Sequence, residues 1–424
     1  VKNKILIFYI LGIAIVTAVA FLPALSNQFV DWDDPAYVTE NESVQVLSAD
    51  NVKKFFTRSY VASYCPLVML SYAAEYSIFG PNPFVYHLTN YLLNICITLL
   101  VFVFIYMLSR NHKVAFITAL IFGVHPVHVE SVAWIAERKD LLCALFYMIA
   151  VTVYLVYLKD KKVKWYLFCF IAAVLALFSK AMAVTIPLVF LLIDYYRGRK
   201  IDKVLFLEKI PFFGIALIFG LVNIYFQKLS GATELVASLE VKLYFLSKVI
   251  LFYLYKILVP LNLSAIYPYH SVDPTHIVQI KYYLAAVLVL IALVAASARW
   301  SKKTVFGSAF FLITVLPVLK IIPVGDAFAA DRYMYLPSIG LFYIFAVFVN
   351  WILKSEFCQR QVRRIGVYVI LAVMVVSLTG MTWQRCLIWK DSSTLFSDVV
   401  SKYPTASIAY NNLGTFYAEK GEID

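Results

Sequence analysis

Apolar runs of roughly 15–25 residues, divided by short clusters of Lys and Arg, recur along the chain from residue 5 to residue 382. A helix of about twenty apolar residues matches the hydrocarbon thickness of a bilayer and satisfies its own backbone hydrogen bonds. The pattern predicts an all-α polytopic membrane protein. The first run, 5–25, follows Lys2 and Lys4 and precedes Asp31, Asp33 and Asp34. Further spans are expected at 84–108, 114–133, 141–158, 165–178, 182–196 and 204–226, with basic clusters at 110–113, 159–164 and 197–203. Lys/Arg-rich loops face the cytoplasm, which puts the N-terminus inside and the acidic cluster outside. Three apolar runs lie between Lys203 and the next basic cluster, 299–303, where alternation allows two. The segment 243–259 carries Lys248 and Lys256 and is expected as a surface-lying or re-entrant helix. It would sit in an external loop, 227–280, that also holds Tyr267 to His270. Spans at 282–298, 305–322, 333–353 and 365–382 bring the total to about eleven, with the C-terminus outside.

Composition agrees with this reading. Of the residues, 62% are hydrophobic, 17% aromatic and only 15% charged. The net charge of +12 would suit nucleic acid, but the basic residues fall between apolar runs, so no nucleic-acid partner is expected. Six cysteines without CxxC spacing signal neither a disulfide framework nor a metal knuckle. The opening run is long for a signal peptide and is expected as a retained anchor.

The loop 26–83 is too long for a simple connector. Within it, 49–58 and 68–79 read as short amphipathic helices lying along the membrane. Carboxylates where a helix leaves the bilayer are costly unless water or a cationic headgroup meets them. Asp31, Asp33 and Asp34 are therefore candidates for chemistry at a membrane face, although the same residues fit a solvated loop capping a short helix ahead of Pro35. The expected topology brings them to the same side as His87, His125, His128, Glu130, Glu137, Arg138, Asp140, Lys180, Asp326, Asp331 and Arg332, as if lining one cavity. His125 and His128 lie three apart beside Pro126 without an H-E-x-x-H arrangement. Hydrogen bonding at a kinked helix end is favoured there, and no metal is expected. His87 and Asn90 share a helix face and suit bonding between helices. Lys180 also fits a snorkelling lysine, and Asp331 with Arg332 a helix end anchored at the headgroups.

The character changes after residue 386. Leu413-Gly414-Thr415-Phe416-Tyr417 fits the L-G-x-x-Y opening of a tetratricopeptide helix, and Glu419-Lys420-Gly421 its turn. The expected organisation is a membrane domain, 1–386, followed by an external linker and first repeat, 387–424, at the edge of a longer array.

Taken in order, Asp33-Asp34, Tyr64-x-Pro66-Leu67, Tyr86-His87-Leu88-x-Asn90, His125-Pro126-Val127-His128-x-Glu130, Arg138 with Asp140, Ser179-Lys180, Asp331-Arg332-Tyr333-x-Tyr335-x-Pro337-Ser338-x-Gly340 and the terminal repeat signature span almost the whole chain. In this the chain resembles the transmembrane and tetratricopeptide-repeat-containing (TMTC) O-mannosyltransferases, and more broadly the GT-C glycosyltransferases that use polyprenyl-phosphate sugars. It departs from the family pattern at Cys65, where Arg is usual, and at Ala181, where Glu is usual. The resemblance implies transfer of a sugar, mannose in the named family, from a polyprenyl-phosphate donor to a Ser/Thr hydroxyl of a protein. Transfer would occur on the non-cytoplasmic face, with inversion. Arg138, Lys180 and Arg332 would hold the donor phosphate. Asp33, or secondarily Asp34, would be the general base. His87, His125, His128, Glu130, Asp140 and Asp331 would line or support the cavity. No cofactor is implied beyond the lipid-linked donor, and the repeats would grip the protein acceptor. The membrane would be a bacterial cytoplasmic membrane with a periplasmic or extracellular site, or the endoplasmic reticulum in a eukaryote. Two other functions fit the same architecture: a GT-C enzyme glycosylating a lipid or polysaccharide, and a non-catalytic scaffold.

Overall fold

The computed structural model describes residues 2–230, 239–269, 274–319 and 327–421. Among these residues, five helices are long and apolar enough to cross a membrane: Lys4–Ser26, Pro83–Ser109, Ile135–Asp160, Lys203–Leu229 and Gln361–Ile388. The pair His112–Val124 and Pro126–Ala133, bent by 55°, makes a sixth if counted as one broken span, and Val163–Ser179, Lys281–Ser297 and Ser338–Lys354 are shorter apolar helices. The chain is an integral membrane protein with a helical fold.

Helix boundaries follow local chemistry. Asn111 caps His112–Val124 by accepting from the N–H groups of Lys113 and Val114 at 3.0 and 3.3 Å. Asn82 accepts from Phe84 N–H ahead of Pro83, whose fixed φ suits a first helical position. The run 114–133, expected as one span with a kinked end, breaks at His125, which is extended because the following proline disfavours the helical region. A second extended residue, Trp134, separates Val129–Ala133 from the short 3-10 turn Ile135–Glu137 and the helix Arg138–Asp160. The span expected at 141–158 therefore starts earlier, with Arg138, Lys139 and Asp140 in its buried first turn.

The loop after the first helix contains Ala49–Thr57 and Pro66–Phe79, close to the two helices expected there. A two-stranded antiparallel pair, Tyr267–Pro268 with Ala327–Ala329, is a departure from an all-α chain. It brings the segment before Asp331 against the helix Leu239–Leu258. Two of the lysines on that helix, Lys248 and Lys256, are occupied. Lys256 Nζ donates to the carbonyls of Leu261 and Asn262 at 2.8 and 3.0 Å, and Lys248 lies 5.3 Å from the Phe328 ring. His270 and Asp326 fall outside the described residues, as does part of the loop 227–280.

At the end of the bundle away from the acidic loop, Asp194 pairs with Lys209 at 2.6 Å and Arg199 at 3.1 Å and accepts from Tyr154 Oη. These contacts tie three helices together. Elsewhere, Gly307 and Gly340 let Lys302–Val315 and Ser338–Lys354 touch backbone to backbone, as small residues do between membrane helices. A Cβ on Gly340 would lie 2.2 Å from Gly307 O. Gly340→Ala should thus cost about 1–3 kcal/mol by overpacking, read as a lower midpoint in thermal unfolding of the detergent-solubilised protein. An unchanged midpoint would mean that the two helices do not meet there. At the C-terminal end, Ser392–Lys402, capped by Asp391, packs on Ser407–Glu419 and buries Leu395, Phe396, Val399 and Ala409.

Candidate active site

The double break around Pro126 and Trp134 presents Glu130, Glu137 and Lys139 from one short stretch, and the loop after the first helix comes down on it. Asp34 makes the junction. Its Oδ2 accepts from Val30 N–H at 2.9 Å and its Oδ1 from Ala136 N–H at 2.8 Å. Complete burial pushes its carboxyl up to about 7, against two N–H bonds that favour the charged form. With both oxygens engaged in the interior, Asp34 holds the loop in place. Asp33 has a different setting. It keeps a partly exposed edge and lies 4.0 Å from Lys139 Nζ. Burial raises its pKa from the ordinary value; the Lys139 ammonium opposes that, Glu137 adds to it, and Arg332 opposes it.

Around Asp33, Glu137 is the hub. Its carboxylate meets Lys139 at 3.2 Å, Lys180 at 3.3 Å and Arg332 Nε at 3.1 Å. Lys180 also meets Asp140 at 2.6 Å, and Asp140 accepts from Ser131 Oγ. Arg332 pairs with Glu130 through its guanidinium, and its backbone N–H donates to the same carboxylate at 3.0 Å. Charges removed from water are tolerated when paired in this way. Lys180 and Arg332 retain side-chain exposures of 17% and 18%, while the carboxylates behind them are almost wholly buried. The open edge of the cluster is thus cationic, with Asp33 beside it. Tyr333 and Trp134 wall this edge, the Arg332 guanidinium lying 5.0 and 5.4 Å from their rings.

The structure brings Asp33, Glu130, Asp140, Lys180 and Arg332 together. It does not bring Arg138. Fully buried, Arg138 donates to Asn90 Oδ1 at 2.9 Å, Glu75 Oε2 at 2.6 Å, Ser71 Oγ at 3.3 Å and the Tyr86 carbonyl at 3.1 Å, under the ring of Tyr72. In this place it joins Pro66–Phe79, Pro83–Ser109 and Arg138–Asp160. Asp331 points elsewhere too, accepting from Tyr267 Oη at 2.7 Å; burial raises its pKa, with nearby Glu130 adding to the effect. His87 meets the Gln28 carbonyl at 3.4 Å. His125 meets the Ile257 carbonyl at 3.1 Å, and His128 the Phe122 carbonyl and Ser338 Oγ at 2.9 and 3.0 Å. The last two hold the kink. Among the described residues no group of three or more His, Cys, Asp or Glu is arranged to hold a metal ion.

Two functional candidates, Lys139 and Trp134, have no assignment from the sequence, and Glu137 is expected there only as part of the cavity lining. The available signal was Glu137-Arg138-Lys139-Asp140, four charges running into an apolar span.

Comparison with known proteins bears on this geometry. Residues 65–226 match the dolichyl-phosphate-mannose-protein mannosyltransferase family. The protein O-mannosyl-transferase F38B6.6 of Caenorhabditis elegans is 23% identical over 431 residues, covering 95% of this chain and 59% of that protein. The similarity to this O-mannosyl-transferase thus runs along nearly the whole chain. Mouse TMTC4 is 24% identical over 424 residues, covering 85% of this chain and 56% of its own length. Mouse TMTC1 is 42% identical over 89 residues, 21% of this chain and 9% of that protein. The chain therefore spans somewhat over half the length of the relatives that it matches along most of its own length. The crystal structure of ArnT from Cupriavidus metallidurans bound to undecaprenyl phosphate aligns at TM-score 0.42 and 11% identity over 98% of this chain and 79% of that one. Of the two departures from the family pattern, Cys65 is buried beside Tyr37, and burial pushes its thiol up to about 11, so this position is neutral where the family carries a charge. Ala181 begins the 3-10 turn after Lys180.

Proposed function

We propose that this chain is the membrane part of a glycosyltransferase that moves a sugar, mannose by the relatives' names, from a polyprenyl-phosphate donor to a Ser/Thr hydroxyl of a protein. The observation that carries the proposal is a partly exposed carboxylate, Asp33, beside a cationic edge made by Lys180 and Arg332. The acceptor oxygen attacks the anomeric carbon as the bond from that carbon to the phosphate oxygen breaks, so configuration inverts. Asp33 takes the hydroxyl proton, and its raised pKa makes it a stronger base. The departing lipid phosphate gains negative charge, which Lys180 and Arg332 meet. Glu137, joined to both, holds these cations in place before the donor arrives. The distribution of Lys and Arg supports the non-cytoplasmic face for this chemistry.

The test is transfer of radiolabel from polyprenyl-phosphate mannose to protein in membranes containing this chain. Label on protein, released by β-elimination, is the expected result. Transfer only from another lipid-linked sugar would move the donor assignment. Label only in lipid or polysaccharide would move the acceptor, and failure of a panel of donors would favour a scaffold.

A further inference from the structure

The loop that carries Asp33 is held from far away in the chain. Gln28 N–H donates to the Lys390 carbonyl at 2.8 Å and Asn27 Nδ2 to the Cys386 carbonyl at 3.2 Å. Asp31 and Ser392 bond in both directions. The Asp31 N–H donates to Ser392 Oγ at 2.8 Å, and the Ser392 hydroxyl donates to Asp31 Oδ2 at 2.8 Å. Trp32, immediately before Asp33, stacks at 4.5 Å on Trp134, which stacks at 5.6 Å on Trp389, and Phe396 meets Trp32 edge-on at 6.0 Å. The helix Ser392–Lys402 is itself fixed to the membrane bundle. Arg385 pairs with Asp398 at 2.9 Å, and Lys402 Nζ donates to the Leu263 carbonyl at 2.7 Å.

The Asp31–Ser392 bonds and the Trp32–Phe396 contact join the acidic loop to the start of the C-terminal helical hairpin. A displacement of Ser392–Lys402 is therefore transmitted to Asp31 and Trp32, the residues on which the position of Asp33 depends. Building on the transferase reading above, we propose that Ser392 is a positioning residue. Through Asp31 it fixes the loop bearing the general base, and so couples the C-terminal hairpin to the reaction. Ser392 touches no reacting atom. Its contribution comes through geometry, where a misplacement of the order of 1 Å costs up to about 100-fold in rate.

The experiment uses the full chain in detergent or nanodiscs and three proteins: wild type, Ser392→Ala and Ser392→Thr. Hydrogen exchange of the amides from Phe29 to Asp33 reads the loop directly, and steady-state transfer separates kcat from donor KM. In Ser392→Ala, exchange at the Asp31 amide should quicken by about 10-fold or more, as expected when a hydrogen bond worth roughly 1.4 kcal/mol is lost. kcat should fall by about 10-fold, donor KM should stay within about twofold, and Ser392→Thr should restore both readouts. Unchanged exchange would overturn the clamp. Faster exchange with unchanged kcat would overturn the positioning role, as would a loss confined to donor KM. If the wild type transfers no sugar from any donor, the transferase reading fails, while the exchange arm still decides whether Ser392 holds the loop.

Discussion

Asp33→Asn should leave less than about 1% of wild-type sugar transfer in membranes holding equal amounts of folded protein, a loss of at least about 2.7 kcal/mol of transition-state stabilisation. A hydroxyl is a weak nucleophile, and without a base the attacking oxygen keeps its proton until the bond to carbon is formed. Asn occupies the same volume and takes no proton. Because burial raises the pKa of Asp33, the acid limb of the wild-type rate profile should have its midpoint above the ordinary carboxylate value of 3.8. The sign is fixed by chemistry: protonated Asp33 is inactive as a base, so kcat falls as pH drops through its pKa and recovers above it. That limb should be absent from whatever activity Asp33→Asn retains. Full transfer by this variant would remove Asp33 from the mechanism. Asp34 provides the contrast, since its two bonds to backbone N–H groups hold the loop. Its substitution should therefore lower the thermal midpoint, which Asp33→Asn should leave nearly unchanged.

Arg138→Met should lose about 3–5 kcal/mol of stability and with it most of the folded protein, measured by size-exclusion and thermal unfolding in detergent. The reason is Glu75. Its carboxylate is 14% exposed and paired with Arg138 at 2.6 Å, so removing the guanidinium leaves a charge in the interior with its cation gone. Replacing both partners is milder than replacing one. In Arg138→Met with Glu75→Gln, the Thr89 hydroxyl that now donates to Glu75 still has an amide to meet. The double variant should regain much of the folded protein and transfer sugar at close to the wild-type rate per folded molecule. A double variant that folds but transfers nothing would return Arg138 to the donor phosphate. Between them, the Asp33 and Arg138 variants separate loss of chemistry from loss of fold.

Part of this molecule is legible without coordinates. Apolar runs of bilayer length declare a membrane protein because a backbone in hydrocarbon must satisfy its own hydrogen bonds. The acidic cluster after the first run stands out because unpaired carboxylates at a membrane exit are expensive. The ordered motifs, from Asp33-Asp34 to the Asp331-Arg332 segment, point to the TMTC-like family that the relatives support. The breaks that shape the site are half visible. Pro126 announces the first, since it disfavours a helical His125, whereas the extended Trp134 has no such marker.

What the order of residues determined by itself was therefore the membrane class, the places where charge had to be accounted for, and the family resemblance. Only the tertiary structure decided which charges face one another. Arg138 and Lys139 are neighbours in sequence, but successive residues on a helix point about 100° apart. One is consumed by Glu75 and Asn90, and the other turns toward Asp33. Whether a buried cation is a strut or a ligand depends on its partners, and those come from segments folded in from elsewhere. Ser392 meets Asp31 across 361 positions of chain, and Tyr267 reaches Asp331 across 64. No local pattern encodes such pairs, because packing of distant helices, rather than propensity along one of them, sets their distance.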